Sequence, residues 1–123
     1  MKRLPGRTWV AIDGGMSDNP RPQLYDARYT AVSALRMDEP ADETVSVAGM
    51  HCESGDVLID DVALPSPRRG DLLAGPATGA YTLAMSSNYN GVGRPAAVLV
   101  RQGGALLIRR RETVDDLLAL EAT

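Results

Sequence analysis

Eight prolines and twelve glycines scattered through 123 residues constrain this chain more than any other feature. Each proline fixes φ and removes a backbone donor. Each glycine carries the largest entropy cost in a regular element. Long helices have no room, and the chain reads as short strands joined by turns. Aromatic residues make up only 4%, with no Phe, one Trp and four Tyr. The core must then be built from Val, Leu, Ile, Ala and Met, in one domain of modest interior. The expected fold is mainly β: a Greek-key-like barrel or sandwich over 1–123, with one or two short helices.

Local patterns place the elements. Thr8 to Ile12 reads as a short buried strand that stops before Gly14-Gly15. Two prolines between Asp18 and Tyr25 allow a helix to start there but not to pass through. One turn from Arg21 to Tyr25 would set those side chains on one face. Tyr29 to Leu35 reads as a strand, and residues 38–43 as an acidic loop. Thr44 to Val47 alternates polar and apolar, as a half-buried strand should. Val57 to Ile59 and Asp71 to Ala74 are further short strands. Ala96 to Val100 and Ala105 to Ile108 flank Arg101-Gln102-Gly103-Gly104, a hairpin signal. Thr113 offers an N-cap with Asp116 in the capping-box position, opening a helix that ends near Leu120. Lys2 falls in a terminus with nothing to tie it down.

The net charge is −3 and the isoelectric point about 5.0. That balance gives no support to nucleic-acid binding. Arg109-Arg110-Arg111 is the one basic cluster, with Glu112, Asp115 and Asp116 at hand as ion-pair partners. No apolar run approaches the roughly 18 residues of a membrane span, and the first residues lack the apolar stretch of a signal peptide. A single cysteine cannot form an internal disulfide, which suits a reducing compartment. The expected location is the cytoplasm.

The chain's only cysteine and only histidine sit together in His51-Cys52-Glu53-Ser54-Gly55-Asp56. A lone cysteine is in general a small buried hydrophobe. A polar, glycine-containing loop instead presents a thiol, where it could donate a proton or act as a nucleophile. Neighbours along extended chain point to opposite sides, which argues against direct activation of Cys52 by His51. His51, Cys52, Glu53 and Asp56 lack the paired spacing of a structural zinc site, and no metal is expected. Upstream, Arg21 suits bidentate capture of a carboxylate, and Tyr25 could add a hydroxyl. The alternative is a surface arginine and a packing tyrosine. Gly14 and Gly15 permit close approach by a ligand. Tyr81, after Gly79-Ala80, either packs in the core or leans towards a ligand.

Taken jointly, DGGMSDNPRPQLY, HCESGD, GDLLAGPATGAYTLAMSSNYN, RPAAVLV and RRETVDDLL resemble the diaminopimelate decarboxylases, from about residue 9 to 118. That family joins a (β/α)8 barrel to a β-rich second domain, and this chain resembles the C-terminal β-domain alone. The resemblance implies pyridoxal 5'-phosphate as cofactor, held as a Schiff base by a barrel lysine. Lys2 is the one lysine here, so the barrel domain is expected to be missing and the chain inert alone. The resemblance further implies that meso-diaminopimelate loses one carboxylate to give L-lysine and CO2. Arg21 and Tyr25 would hold the distal carboxylate and Glu53 the distal ammonium. Cys52 would donate the proton at the reacting carbon, and Tyr81 would lie against cofactor and substrate. The family's sites form at a homodimer interface, where the Cys-Glu loop reaches into the partner's barrel.

Relatives that act on ornithine usually carry Asp after the equivalent cysteine, so Glu53 with Arg21 and Tyr25 favours diaminopimelate. Pro20 is a departure, standing where a bulkier aliphatic residue is common, and it stiffens the approach to Arg21. Three functional readings stand. The chain is a domain of such a decarboxylase, one half of a split enzyme that pairs with a separate barrel chain, or a non-catalytic interaction module.

Overall fold

The computed structural model describes residues 1–122. It is mainly β, with short helices at three places. Strands β1 (Lys2–Leu4), β2 (Arg7–Ala11), β4 (Glu43–Ala48) and β5 (Val57–Leu64) form one sheet in the order β1-β2-β4-β5. Strand β3 (Val32–Ser33) pairs with β6 (Leu73–Ala74), and β7 (Ala97–Arg101) pairs with β8 (Gly104–Arg109). The strands thus fall into three sheets, and none closes into a barrel among the described residues. Helix α1 covers Arg21–Tyr25, α2 covers Thr82–Met85 and α3 covers Val114–Leu118. A single 3-10 turn spans Tyr89–Gly91.

β2 runs parallel to β4, with Thr8 opposite Val45 and Ala11 opposite Ala48. β4 and β5 are antiparallel. Between Val45↔Val62 and Val47↔Ile59 the β5 side carries one extra residue, a bulge in which Asp61 takes φ 58°. This Asp60-Asp61 pair breaks the apolar pattern, which explains why only Val57 to Ile59 reads as strand in the sequence. β4 also departs from simple alternation: Val45, Ser46 and Val47 are all buried. Val45 and Val47 face the core, while Ser46 Oγ accepts from Arg7 Nε at 2.8 Å and donates to Asp60 at 3.1 Å. Arg7 is ion-paired with Asp60 and lies 4.3 Å from the Trp9 ring centroid, covering that second face.

The core consists of Ala31, Val45, Val47, Ile59, Val62 and Leu64, with Val10, Ile12, Tyr29, Leu58 and Leu73 against it. The strand expected over Tyr29 to Leu35 shrinks to Val32–Ser33, because its partner β6 is itself two residues long. Lys2 is not loose: β1 pairs antiparallel with β2, Lys2 opposite Trp9. The hairpin follows its sequence signal. Gln102 and Gly103 both have positive φ, 50° and 76°, the backbone of a type I′ turn. α3 has the full capping box, with Thr113 N donating to Asp116 Oδ2 at 2.8 Å and Asp116 N donating to Thr113 Oγ1 at 3.4 Å. It ends at Leu118, earlier than Leu120. Arg109 pairs with Glu112 and Arg110 with Asp116, while Asp115 stays outside these pairs.

Glu112 also fastens the irregular segment after α2. Its carboxylate accepts from Arg94 N at 2.9 Å, Asn88 Nδ2 at 2.7 Å and Arg94 Nη1 at 3.2 Å. The Arg94 backbone N–H and the Asn88 amide hold its pKa down at about 2, against the ordinary 4.5. A carboxyl with a depressed folded-state pKa stabilises the fold above its unfolded value. That contribution is expected to be complete above about pH 4.5 and to disappear as the pH falls to about 2. Thermal midpoints across this interval should fall less steeply for Glu112→Gln than for the parent chain. Equal slopes would remove Glu112 from the acid response.

Burial is uneven. On β7 and β8, Val98, Leu99, Val100, Leu106, Leu107 and Ile108 are all exposed, as are Val114 and Leu118 on α3. Contiguous apolar surface of this kind marks an interaction face. The chain is expected to self-associate as its concentration rises, read by sedimentation velocity. A sedimentation coefficient that stays monomeric throughout would contradict this.

Candidate functional site

The parallel pairing of β2 and β4 sends the segments that follow them out of the same end of the sheet. Ile12 N donates to Ala48 O at 3.0 Å and Met50 N to Gly14 O at 3.0 Å, so the two segments stay side by side beyond the strands. The first folds into a tight loop in which Gly15 N donates to Asp18 Oδ2 at 3.0 Å and Asp18 N returns to Gly15 O at 2.9 Å. It then enters α1. Pro20 stands at the N-cap with φ −79° and ψ −3°, and its carbonyl accepts from Leu24 N at 3.0 Å. The proline therefore starts this helix without distorting it. The left-handed Asp26, φ 51°, ends it. Gln23 Nε2 donates to Val57 O at 2.9 Å, tying α1 to the start of β5.

The second segment, residues 49–56, is organised by Asp56. This side chain is only 3% exposed. Its Oδ1 accepts from Met16 N at 2.7 Å and its Oδ2 from His51 N at 2.8 Å. Gly49 N donates to Asp56 O at 2.8 Å. The carboxylate lies against bare backbone at Gly49, where an added Cβ would overlap it, and at Gly15, where one would come within 2.9 Å. The His51 ring turns inward: its Nε2 is hydrogen-bonded to Ser17 Oγ at 2.8 Å, and its edge meets the Tyr89 ring at 5.2 Å between centroids. Ser17 is buried, and its carbonyl accepts from Ser87 N at 2.9 Å. Two loops, at 13–19 and 49–56, and the run after α2, at 86–92, are thus joined.

The five sequence-selected residues lie on the segments that this junction joins or on the helices that follow or precede them. Cys52 is an exposed free thiol at the turn. His51 points away from it into the loop junction, so the two form no dyad. Glu53 is exposed, and its Oε1 accepts from Gly55 N at 3.2 Å. Arg21 opens α1, and Tyr25, its last residue, is 62% exposed. Arg21 Cζ lies 5.3 Å from the centroid of the Tyr81 ring, itself 61% exposed, a cation–π contact. Arg21 Nε is buried with no hydrogen-bond partner among the described residues. The structure therefore brings Arg21 to Tyr81 and fixes their loops to that of Cys52. No hydrogen bond joins Glu53 to Arg21 or Tyr25 among the described residues. Asp56, counted in the sequence only as turn chemistry and an unconvincing metal ligand, is the organiser. Both its oxygens are engaged by backbone N–H groups. Ser17 carries no sequence signal of its role, because that role depends on its meeting His51 across 34 residues.

Residues 1–79 match the family described as pyridoxal-dependent decarboxylase, C-terminal sheet domain. The chain belongs to this family. A diaminopimelate decarboxylase of Synechocystis sp. is 59% identical over 112 residues, 91% of this chain and 24% of the relative. One from Bacillus subtilis is 53% identical over 98% of this chain and 28% of its own length. The crystal structure of the diaminopimelate decarboxylase from M. jannaschii in co-complex with L-lysine superposes with a TM-score of 0.88. It is 41% identical, over 99% of this chain and 28% of that one. The chain thus spans about a quarter of the length of the relatives it matches. Arg21, Tyr25, Cys52 and Glu53 lie inside the family match, and Tyr81 lies just beyond it.

The family name implies pyridoxal phosphate, and the side chains present suit one part of such a site. Lys2 sits exposed on edge strand β1, so this decarboxylase domain offers no buried amine as a covalent anchor. It does offer a partly buried cation with an unpartnered Nε, an exposed phenol against it and an exposed thiol. That set suits contact with a charged small molecule, not covalent attachment of the cofactor. Gly49→Ala tests how tightly the junction behind it is built. The added methyl must displace Asp56, an overpacking change expected to cost about 1–3 kcal/mol. Urea unfolding reads the effect, and an unshifted midpoint would show that the Asp56 carboxylate moves freely.

Proposed function

We propose that this chain is the substrate-binding and dimerisation domain of a diaminopimelate decarboxylase, which converts meso-2,6-diaminopimelate to L-lysine and CO2 in lysine biosynthesis. The observation that carries the reading is Arg21. Its guanidinium has a buried Nε without a partner and no ion pair among the described residues. An unmet donor of this type on a planar, permanently charged group calls for a carboxylate. The substrate carries one that must be kept.

In this reading Arg21 grips the distal carboxylate and Tyr25, on the same helical face, adds a hydroxyl. Glu53 pairs with the distal ammonium. That arrangement selects a substrate with both charges at its far end over a simple diamine precursor. Cys52 Sγ–H donates a proton to the carbon that has lost its carboxylate. Tyr81, held by Arg21, closes the wall beside substrate and cofactor. Pyridoxal phosphate, anchored by a lysine of a barrel domain, supplies the electron sink. The working form is a homodimer, to which the exposed apolar hairpin of β7 and β8 contributes surface. The free thiol suits a cytoplasmic location. No helix among the described residues is long and apolar enough to cross a membrane.

The roles separate in kinetics. Arg21 contacts substrate in both ground and transition states, so Arg21→Ala should raise KM for diaminopimelate. A charge-assisted hydrogen bond contributes about 1.5–3 kcal/mol, so the rise should be about 10- to 150-fold. Cys52→Ala removes a positioned acid and should lower kcat by about 10²- to 10⁴-fold. Cofactor absorbance should survive both. Loss of cofactor in Arg21→Ala, with kcat unchanged in Cys52→Ala, would overturn the assignment.

A further inference from the structure

We propose that Asp56 is a positioning residue for the Cys52 thiol: its buried carboxylate locks the loop that carries Cys52 to the loop that leads to Arg21. The proposal rests on the decarboxylase reading above. Asp56 is 3% exposed and pairs with no cation among the described residues. Its oxygens bind backbone N–H groups of Met16 and His51 instead, at 2.7 and 2.8 Å. Bonds to an ionised acceptor are stronger than neutral ones, and withdrawing either donor would leave a buried charge short of partners. His51 directly precedes Cys52. Met16 lies on the short, Pro20-stiffened run into α1. One carboxylate therefore sets the separation of the proton donor from the arginine helix.

The surroundings are shaped for a carboxylate of this length. Gly49 and Gly15 leave bare backbone on two sides, where side chains would collide with Asp56 or with the His51 ring. Glutamate would carry the carboxylate one methylene beyond its present place between the Met16 and His51 donors. Asparagine matches the shape but presents an NH2 to one of the two N–H donors, which breaks that bond and opens the loop. Geometry of this precision matters because a displacement of about 1 Å at a reacting group costs on the order of 100-fold in rate.

The decisive experiment is a double-mutant cycle in the decarboxylase that carries this chain. Asp56→Asn should lower kcat by about 100-fold and also raise KM, because Glu53 rides on the same loop. In the Cys52→Ala background the same substitution should lower kcat by no more than about threefold, because it acts through the absent thiol. An equal loss in both backgrounds, or none in either, overturns the positioning role. An unchanged kcat in Cys52→Ala alone instead overturns the underlying assignment of Cys52. Two readouts need no turnover. In the unsubstituted chain, the Met16 and His51 amides should exchange with deuterium far more slowly than free peptide. Unprotected exchange at either overturns the proposal, and this decides the matter if Asp56→Asn does not fold. In a folded Asp56→Asn chain the rate of Cys52 alkylation by iodoacetamide should change, and an unchanged rate overturns it.

Discussion

The parallel pairing of β2 with β4 is the constraint on which the candidate site depends. Antiparallel neighbours send their ends to opposite edges of a sheet; parallel neighbours send both C-terminal ends to one edge. Here that edge receives residues 12–19 and 49–56, with Ile12 to Ala48 and Met50 to Gly14 continuing the pairing past the strands. The crossover between β2 and β4 contains α1 and β3, so Arg21 is placed by the same connection. β4 can serve as the central strand because both its faces are covered, one by the valine core and one by Arg7, Trp9 and Asp60.

Much of this was legible in the residues, and the reasons for the rest are physical. Turn chemistry is local, so the Gln102-Gly103 hairpin and the Thr113 capping box read directly from sequence. The mainly β class followed from Pro and Gly spacing for the same reason. The three-sheet division was not legible, because closing a barrel depends on strand length, and β3 and β6 are two residues each. β1 was missed because it is exposed throughout and has no periodicity to show. The full length of β5 was hidden by its bulge at Asp60-Asp61.

The site divides in the same way. Arg21, Tyr25, Cys52, Glu53 and Tyr81 stood out because their chemistry is unusual in loops, and the resemblance named a role for each. The residues that hold those loops together did not stand out. Asp56 makes its two bonds across 40 and 5 positions, and His51 meets Ser17 across 34. Long-range hydrogen bonds leave no spacing pattern in one sequence. A glycine such as Gly49, next to no obvious turn, gives the only hint, and its meaning appears once the Asp56 carboxylate is seen against it.

A chain without Phe must hold its periphery by other means, and it uses charge. Away from the valine core, Arg36 joins Asp71, Glu39 and the Ser66 carbonyl, while Glu112 joins Arg94, Asn88 and Arg109. These clamps fix the irregular runs at 65–71 and 86–94, where no regular ladder satisfies the backbone. Hydrogen-bonded clamps demand exact geometry and little volume, which suits a small interior. They do not cover apolar surface, however, and they leave β7, β8 and α3 with leucines and valines in the open. The residues that stabilise this domain and those left for contact with other surfaces are therefore different sets. The Asp56 junction lies with the first set and the exposed apolar residues of the hairpin with the second. Loss of a partner surface would then leave the loop geometry around Cys52 in place, because among the described residues no hydrogen bond to Asp56, His51 or Ser17 comes from the hairpin.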